Sequence, residues 1–157
     1  MDVQQAVQER YAPRSVCFGC GPANPDGLQL HSFEDGVELV AEWQPSARYE
    51  AFAGALNGGI CAVLLDCHAN WAAAMGLMRA GAADRPPATV TAGYEVKLLA
   101  PTPTAGPLQL RSRVVSLEGR RAVAESEISI AGEVTATFRG TFVAVGPGHP
   151  AFHRWDA

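Results

Sequence analysis

The spacing of apolar positions changes along the chain, and each change marks an element. "LQLHSF" and "VELVAEW" flank "EDG", and in the second run Val37, Leu39, Ala41 and Trp43 recur at every second residue. That period predicts two strands joined by a tight turn, with one face buried. From Asn57 to about Arg79 the period lengthens. Ile60, Leu64, Cys67, Trp71, Met75 and Met78 are spaced by three or four, which predicts one apolar stripe on a long helix. The same segment is rich in alanine and almost free of charge, so the helix is expected to be covered on most sides. "GAADRPP" ends it. Four strand-like runs follow, at Ala88–Leu99, Gly106–Leu117, Arg120–Ile130 and Glu133–Val145, separated by "APTPTAG", "LEG" and "AGE".

The remaining segments read differently. Residues 1–12 suit a short helix. Residues 13–27, "PRSVCFGCGPANPDG", are dense in Pro and Gly and read as loop, as does "QPSARYEAFAGAL". The tail, residues 146–157, is irregular. No repeat is present, so residues 1–157 read as one domain with a loop-rich N-terminal segment over 1–27. A strand pair, one long helix and four consecutive strands joined by short turns make an α+β architecture, with the helix packed on one face of an antiparallel sheet.

Composition narrows the function classes. Hydrophobic residues are 48% and charged residues 18%, which is globular rather than disordered. The net charge of -4 argues against a nucleic-acid partner. No uninterrupted apolar run approaches ~20 residues, so no membrane span is expected. "MDVQQAVQER" lacks the basic start and apolar middle of an export signal, and a cytoplasmic location is expected. The four cysteines, Cys17, Cys20, Cys61 and Cys67, are then expected as thiols.

The chemistry centres on "LNGGICAVLLDCHA". Asn57 suits a helix N-cap. Gly58 and Gly59 occupy the first turn, although glycine costs about 0.8–1.0 kcal/mol against alanine in a helix. Such a start suits close approach to the backbone, and its free N–H groups, with the helix dipole behind them, attract an oxyanion. Asp66 lies about two turns beyond Gly59 on the same side, and Asn70 one turn further. A carboxylate on that line can activate water or attack directly. The plainer reading is a packed helix start and a solvated aspartate.

These residues carry a family resemblance. "FAGALNGGICAVLLD" resembles the G-x-x-H-G-G signature with a downstream acid of hotdog-fold acyl-CoA thioesterases of the phenylacetic-acid-degradation type. "TVTAGYEVKLLAPTPTAGPLQLRSRVV" resembles the strand after that family's helix, its closing proline and the next strand. "CFGCGPANPDGLQL" resembles an N-terminal segment found in some members. The matches span residues 17–145. The resemblance implies an antiparallel sheet wrapped around one long helix, an acyl-CoA substrate, no cofactor, and a homodimer or homotetramer with active sites at the subunit interface. It implies Asp66 as catalytic carboxylate, Gly58 and Gly59 as backbone donors to the thioester oxygen, and Thr91 as a hydroxyl supporting the attacking water. Two positions depart from the family pattern. Asn57 stands where the family has histidine, and Ala51, beside Glu50, stands where some members have Asn or Gln.

Other side chains have competing readings. Asn70, Trp71, Arg79 and Arg85 are candidate substrate contacts, the arginines for CoA phosphates together with Arg48, Arg111 and Arg113. Core packing and surface solvation are the alternatives, and Met75 and Met78 share the choice between acyl pocket and core. His68 points away from Asp66 on a helix and reads as a packed or interface histidine. Cys17-x-x-Cys20 suggests metal, with His31 as a third ligand, but no fourth is near. No metal is therefore assigned, and the pair reads as thiols anchoring a loop. Cys61 and Cys67 read as core fillers. A hotdog module that binds acyl-CoA without hydrolysis is the alternative function, and a hydratase is a weaker one.

Overall fold

The computed structural model describes residues 3–156. In chain order the elements are α1 (Val7–Tyr11), β1 (Phe33–Asp35), β2 (Glu38–Trp43), a 3-10 turn (Ala47–Tyr49), β3 (Glu50–Phe52), β4 (Ala55–Leu56), α2 (Gly58–Ala80), β5 (Thr89–Leu98), β6 (Leu108–Glu118), β7 (Arg121–Ile130) and β8 (Glu133–Ala144). Six strands form one antiparallel sheet in the order β1-β2-β6-β7-β8-β5, and β3 pairs with β4. The architecture is α+β, with one long helix against a large antiparallel sheet.

The helix is largely apolar because most of it is covered. Its stripe residues Leu64, Trp71 and Met75 are buried, and so are Leu65, Ala69, Ala72, Ala73 and Ala74 between them. Leu110, Ala122, Ala124, Ile128, Phe138 and Phe142 of the sheet join the same core. The N-terminal segment adds Val7, Tyr11, Ala12, Leu28 and Leu30, and the tail stacks Trp155 on Trp71 at 4.3 Å. The 23-residue α2 is long and apolar enough to cross a membrane by length and composition, and most of it is buried in the fold. Asp66 interrupts the apolar run, and a core helix that is mostly covered by the fold has the same composition as a membrane helix.

Other boundaries shift for local reasons. Of "LQLHSF" only Phe33 enters a strand, because residues 28–30 pair with the cysteine loop instead: Leu28 N–H donates to Phe18 O and Leu30 N–H to Gly19 O. "QPSARYEAFAGAL", expected as loop, holds the 3-10 turn and the β3–β4 pair. The expected N-terminal helix is reduced to Val7–Tyr11, and its first two residues lie outside those described.

The strand after α2 carries a bulge. β5 pairs with β8 as Thr91↔Phe142 and then Gly93↔Thr141, which leaves Ala92 as an extra residue. Such a bulge reverses which face later side chains take. Thr89 and Thr91 before it, and Tyr94 and Val96 after it, therefore all lie opposite helix-facing positions of β8. β5 also ends the sheet, so its outer edge has no strand partner among the described residues.

Candidate active site

At the start of α2, Asn57 has extended backbone (φ -58°, ψ 132°), and its side-chain oxygen accepts the Gly59 N–H at 2.8 Å. The Asn57 carbonyl accepts the N–H groups of Ile60 (3.0 Å) and Cys61 (3.1 Å). The Gly58 N–H has no partner among the described residues. The cap expected from Asn57 is present, and it occupies one of the two glycine donors assigned from the sequence. The free donor is the half-buried Gly58.

Asp66 is half-buried, and its Oδ1 accepts the Thr91 hydroxyl at 2.8 Å. One turn on, Asn70 Oδ1 accepts the Thr89 hydroxyl at 2.6 Å. The polar line of the helix is thus docked on the pre-bulge end of β5. Burial raises the Asp66 pKa above the ordinary carboxylate value. The Thr91 bond opposes this, Cys17 adds to it, and Arg154 opposes it. Asp66 makes no ion pair among the described residues. Cys17 and Arg154 are neighbours that the sequence did not offer. Arg154 arrives because the tail folds back, its guanidinium donating to Thr89 O at 2.9 Å.

Distance along the helix decides what these groups can do. Gly58 and Asp66 are eight residues apart, so at ~1.5 Å of rise per residue they are separated by about 12 Å along the axis. A carbonyl carbon and its oxygen are only ~1.2 Å apart. The free N–H and the carboxylate of one chain are therefore far apart along the axis, although both lie on the same side of the helix.

No family model matches the chain, and no curated protein matches it in sequence. Solved structures do. A thioesterase superfamily protein from Shewanella loihica is 28% identical, over 80% of this chain and 98% of its own, with a TM-score of 0.64. AziG of S. sahachiroi is 22% identical over 82% and 98%, with a TM-score of 0.67. The PaaI protein from the phenylacetic acid degradation operon of E. coli is 19% identical over 76% and 81%, with a TM-score of 0.64. The chain is a hotdog-fold protein similar to the thioesterase superfamily. The last two likenesses bear on the fold alone.

Within the hotdog fold the other candidates separate. Trp71 is 1% exposed and stacked on Trp155, so in this chain it packs the core. Arg79 is paired with Glu34 at 3.0 Å, and Arg85 with Tyr11 O at 2.9 Å and Asp156 at 3.5 Å. Arg111 pairs with Asp35 and Glu38, and Arg113 with Glu125. Of these arginines Arg48, exposed in the 3-10 turn before β3, has no carboxylate partner among the described residues. The adjacent Tyr49 carbonyl accepts the Asn57 N–H at 2.8 Å, which places Arg48 near the helix start. A cavity of about 500 Å³ opens on the sheet face away from α2, but it is lined by Arg111, Arg113, Glu125 and Arg139, which are already paired with one another or with Glu38 and Asp35.

His68 is wholly buried. Nε2 lies 3.0 Å from Leu39 O, which can only accept, so the proton is assigned to Nε2 and Nδ1 accepts from Ser32 Oγ at 2.8 Å. His31 meets Glu9 at 3.6 Å instead of joining Cys17 and Cys20. The third group beside that pair is Cys67 of α2. Its spacing on the helix marks Cys67 only as a core filler, since 50 residues separate it from Cys17.

Proposed function

We propose that the protein hydrolyses an acyl-CoA thioester, in a site built from two copies of the chain. The observation that carries this reading is Asp66: a carboxylate on the core helix of a hotdog fold, held at one oxygen by Thr91 and free of any cation pair among the described residues. The second oxygen is left to accept a proton from water. A pKa raised by burial makes the group a better base than an exposed aspartate.

The reaction follows from these parts. Water adds to the acyl carbon as its proton passes to Asp66, and the developing oxyanion takes the Gly58 N–H, backed by the helix dipole. The C–S bond then breaks. A thiol pKa of ~8.5 makes sulfur a competent leaving group, and the proton held by Asp66 is available to it. Asn57 keeps the helix start in shape and borders the same space. Arg48, with its unpaired charge near the helix start, suits a CoA phosphate better than the paired arginines.

The separation of about 12 Å between Gly58 and Asp66 is met by a homodimer, in which the helix start of one copy serves Asp66 of the other. The open edge of β5 suits the contact. Tyr94 and Leu98 on it are 55% and 57% exposed, an apolar edge of the kind that pairs with another chain.

The test is a panel of aliphatic and aromatic acyl-CoA thioesters with a free-thiol reagent. Wild type is expected to release CoA, and Asp66→Asn to lose that activity with an unchanged far-UV spectrum. Wild-type binding without release, across the whole panel, would make the protein a binding module.

A further inference from the structure

We propose that Cys17, Cys20 and Cys67 form a zinc site, with three thiolate ligands and a fourth position open to solvent. The three sulfurs lie within 4.8 Å of one another. Cys17 Sγ and Cys67 Sγ are 3.7 Å apart. Tetrahedral zinc with Zn–S bonds of ~2.3 Å sets neighbouring sulfurs about 3.8 Å apart, so this pair already stands at the edge length of the coordination polyhedron. A disulfide needs ~2.05 Å, and all four cysteines are free.

The surrounding backbone is shaped for the cluster. "CFGCG" makes a tight turn in which Gly21 N–H returns to Cys17 O at 2.8 Å. A side chain at Gly21 would strike the Cys17 and Ser15 backbone, and one at Gly19 would strike Cys67 Sγ and Val63. Both glycines are therefore required for the loop to lie this close to α2. The loop is fixed from its other side by the Phe18–Leu28 and Gly19–Leu30 hydrogen bonds, so the ligands are held before any ion arrives. Cys20 and Cys67 are 5% and 8% exposed, while Cys17 is half-buried and offers the way in.

Binding would replace three thiol protons, released to solvent, with one divalent ion. Thiolate-rich donor sets select zinc over magnesium or calcium, which take oxygen ligands. The ion would clamp the residue 15–30 loop onto α2 beside Asp66. The zinc site stands independently of the hydrolysis reading.

Purified full-length protein, reduced and then incubated with zinc and desalted, is expected to retain about one equivalent per chain. Cobalt in place of zinc is expected to give intense thiolate-to-cobalt charge-transfer absorption and tetrahedral visible bands. Cys20→Ser and Cys67→Ser are expected to abolish the charge-transfer band or cut it sharply, whereas Cys61→Ser, outside the cluster, leaves it intact. Should the serine variants fail to fold, the wild-type cobalt spectrum and zinc protection of the native thiols against a thiol reagent decide the matter. Cobalt spectra without charge transfer, thiols as reactive with zinc as without it, or a mass lower by two hydrogens from a Cys17 disulfide would overturn the proposal.

Discussion

At the residue scale, two titratable groups of the core helix set pH behaviour in different ways. Asp66 acts as base only when ionised, and burial holds its pKa above the ordinary value. Activity is therefore expected to fall with acidification earlier than an exposed aspartate would dictate. Thr91→Val removes the donor that favours the charged form, so the acid limb of kcat/KM should move to higher pH, with a lower plateau. A limb that stays in place would detach Thr91 from the base. His68 affects stability instead. Burial lowers its pKa from 6.5 to about 4. Between those values the unfolded chain binds the proton and the folded chain does not, so stability falls as pH drops through this window and levels off below it. The slope is up to about 1.4 kcal/mol per pH unit. Urea titrations across pH 4–7 should show it, and His68→Gln should flatten it.

At the scale of the element, α2 combines a costly start with a wholly buried middle. Two glycines weaken the first turn, and the Asn57 cap offsets part of that cost. Asn57→Ala is expected to lose about 1 kcal/mol, read as a lower thermal midpoint. It also frees the Gly59 N–H, so KM and kcat need not follow stability. The strands after the helix were legible because Gly- and Pro-bearing turns separate them. The bulge at Ala92 was not legible. Nothing in "TVTAGYEV" says that the face changes between Thr91 and Tyr94, since only pairing with β8 decides it. That change lets Thr91 reach Asp66 while Tyr94 still lies over Phe138 at 5.2 Å.

At the scale of the whole molecule, the proposed site is shared between copies, and this can be tested without a structure of the assembly. Gly58→Pro removes the free N–H. Proline is favoured at a first helical position, the extended Asn57 suits a following proline, and the nearest obstacle is the flexible, exposed tip of Leu98 at 2.6 Å. Gly58→Pro and Asp66→Asn should each be inactive alone. Refolded together at equal amounts, they should regain about a quarter of wild-type activity, because one of the two sites in each mixed dimer is then intact. No recovery despite proven subunit exchange would confine the site to one chain and contradict the distance argument.

The sequence by itself determined the long helix and the four strands after it, the cap at Asn57 and the line from Gly58 through Asp66 to Asn70. Those depend on nearest neighbours and on the fixed geometry of a helix. Only the tertiary structure decided which glycine donor stays free, that Thr91 bonds Asp66 while Arg154 bonds Thr89, that Trp71 packs against Trp155, and that Cys67 joins Cys17 and Cys20. Each of those contacts closes a long loop, and long-range closure is set by how whole surfaces pack, which no local spacing records.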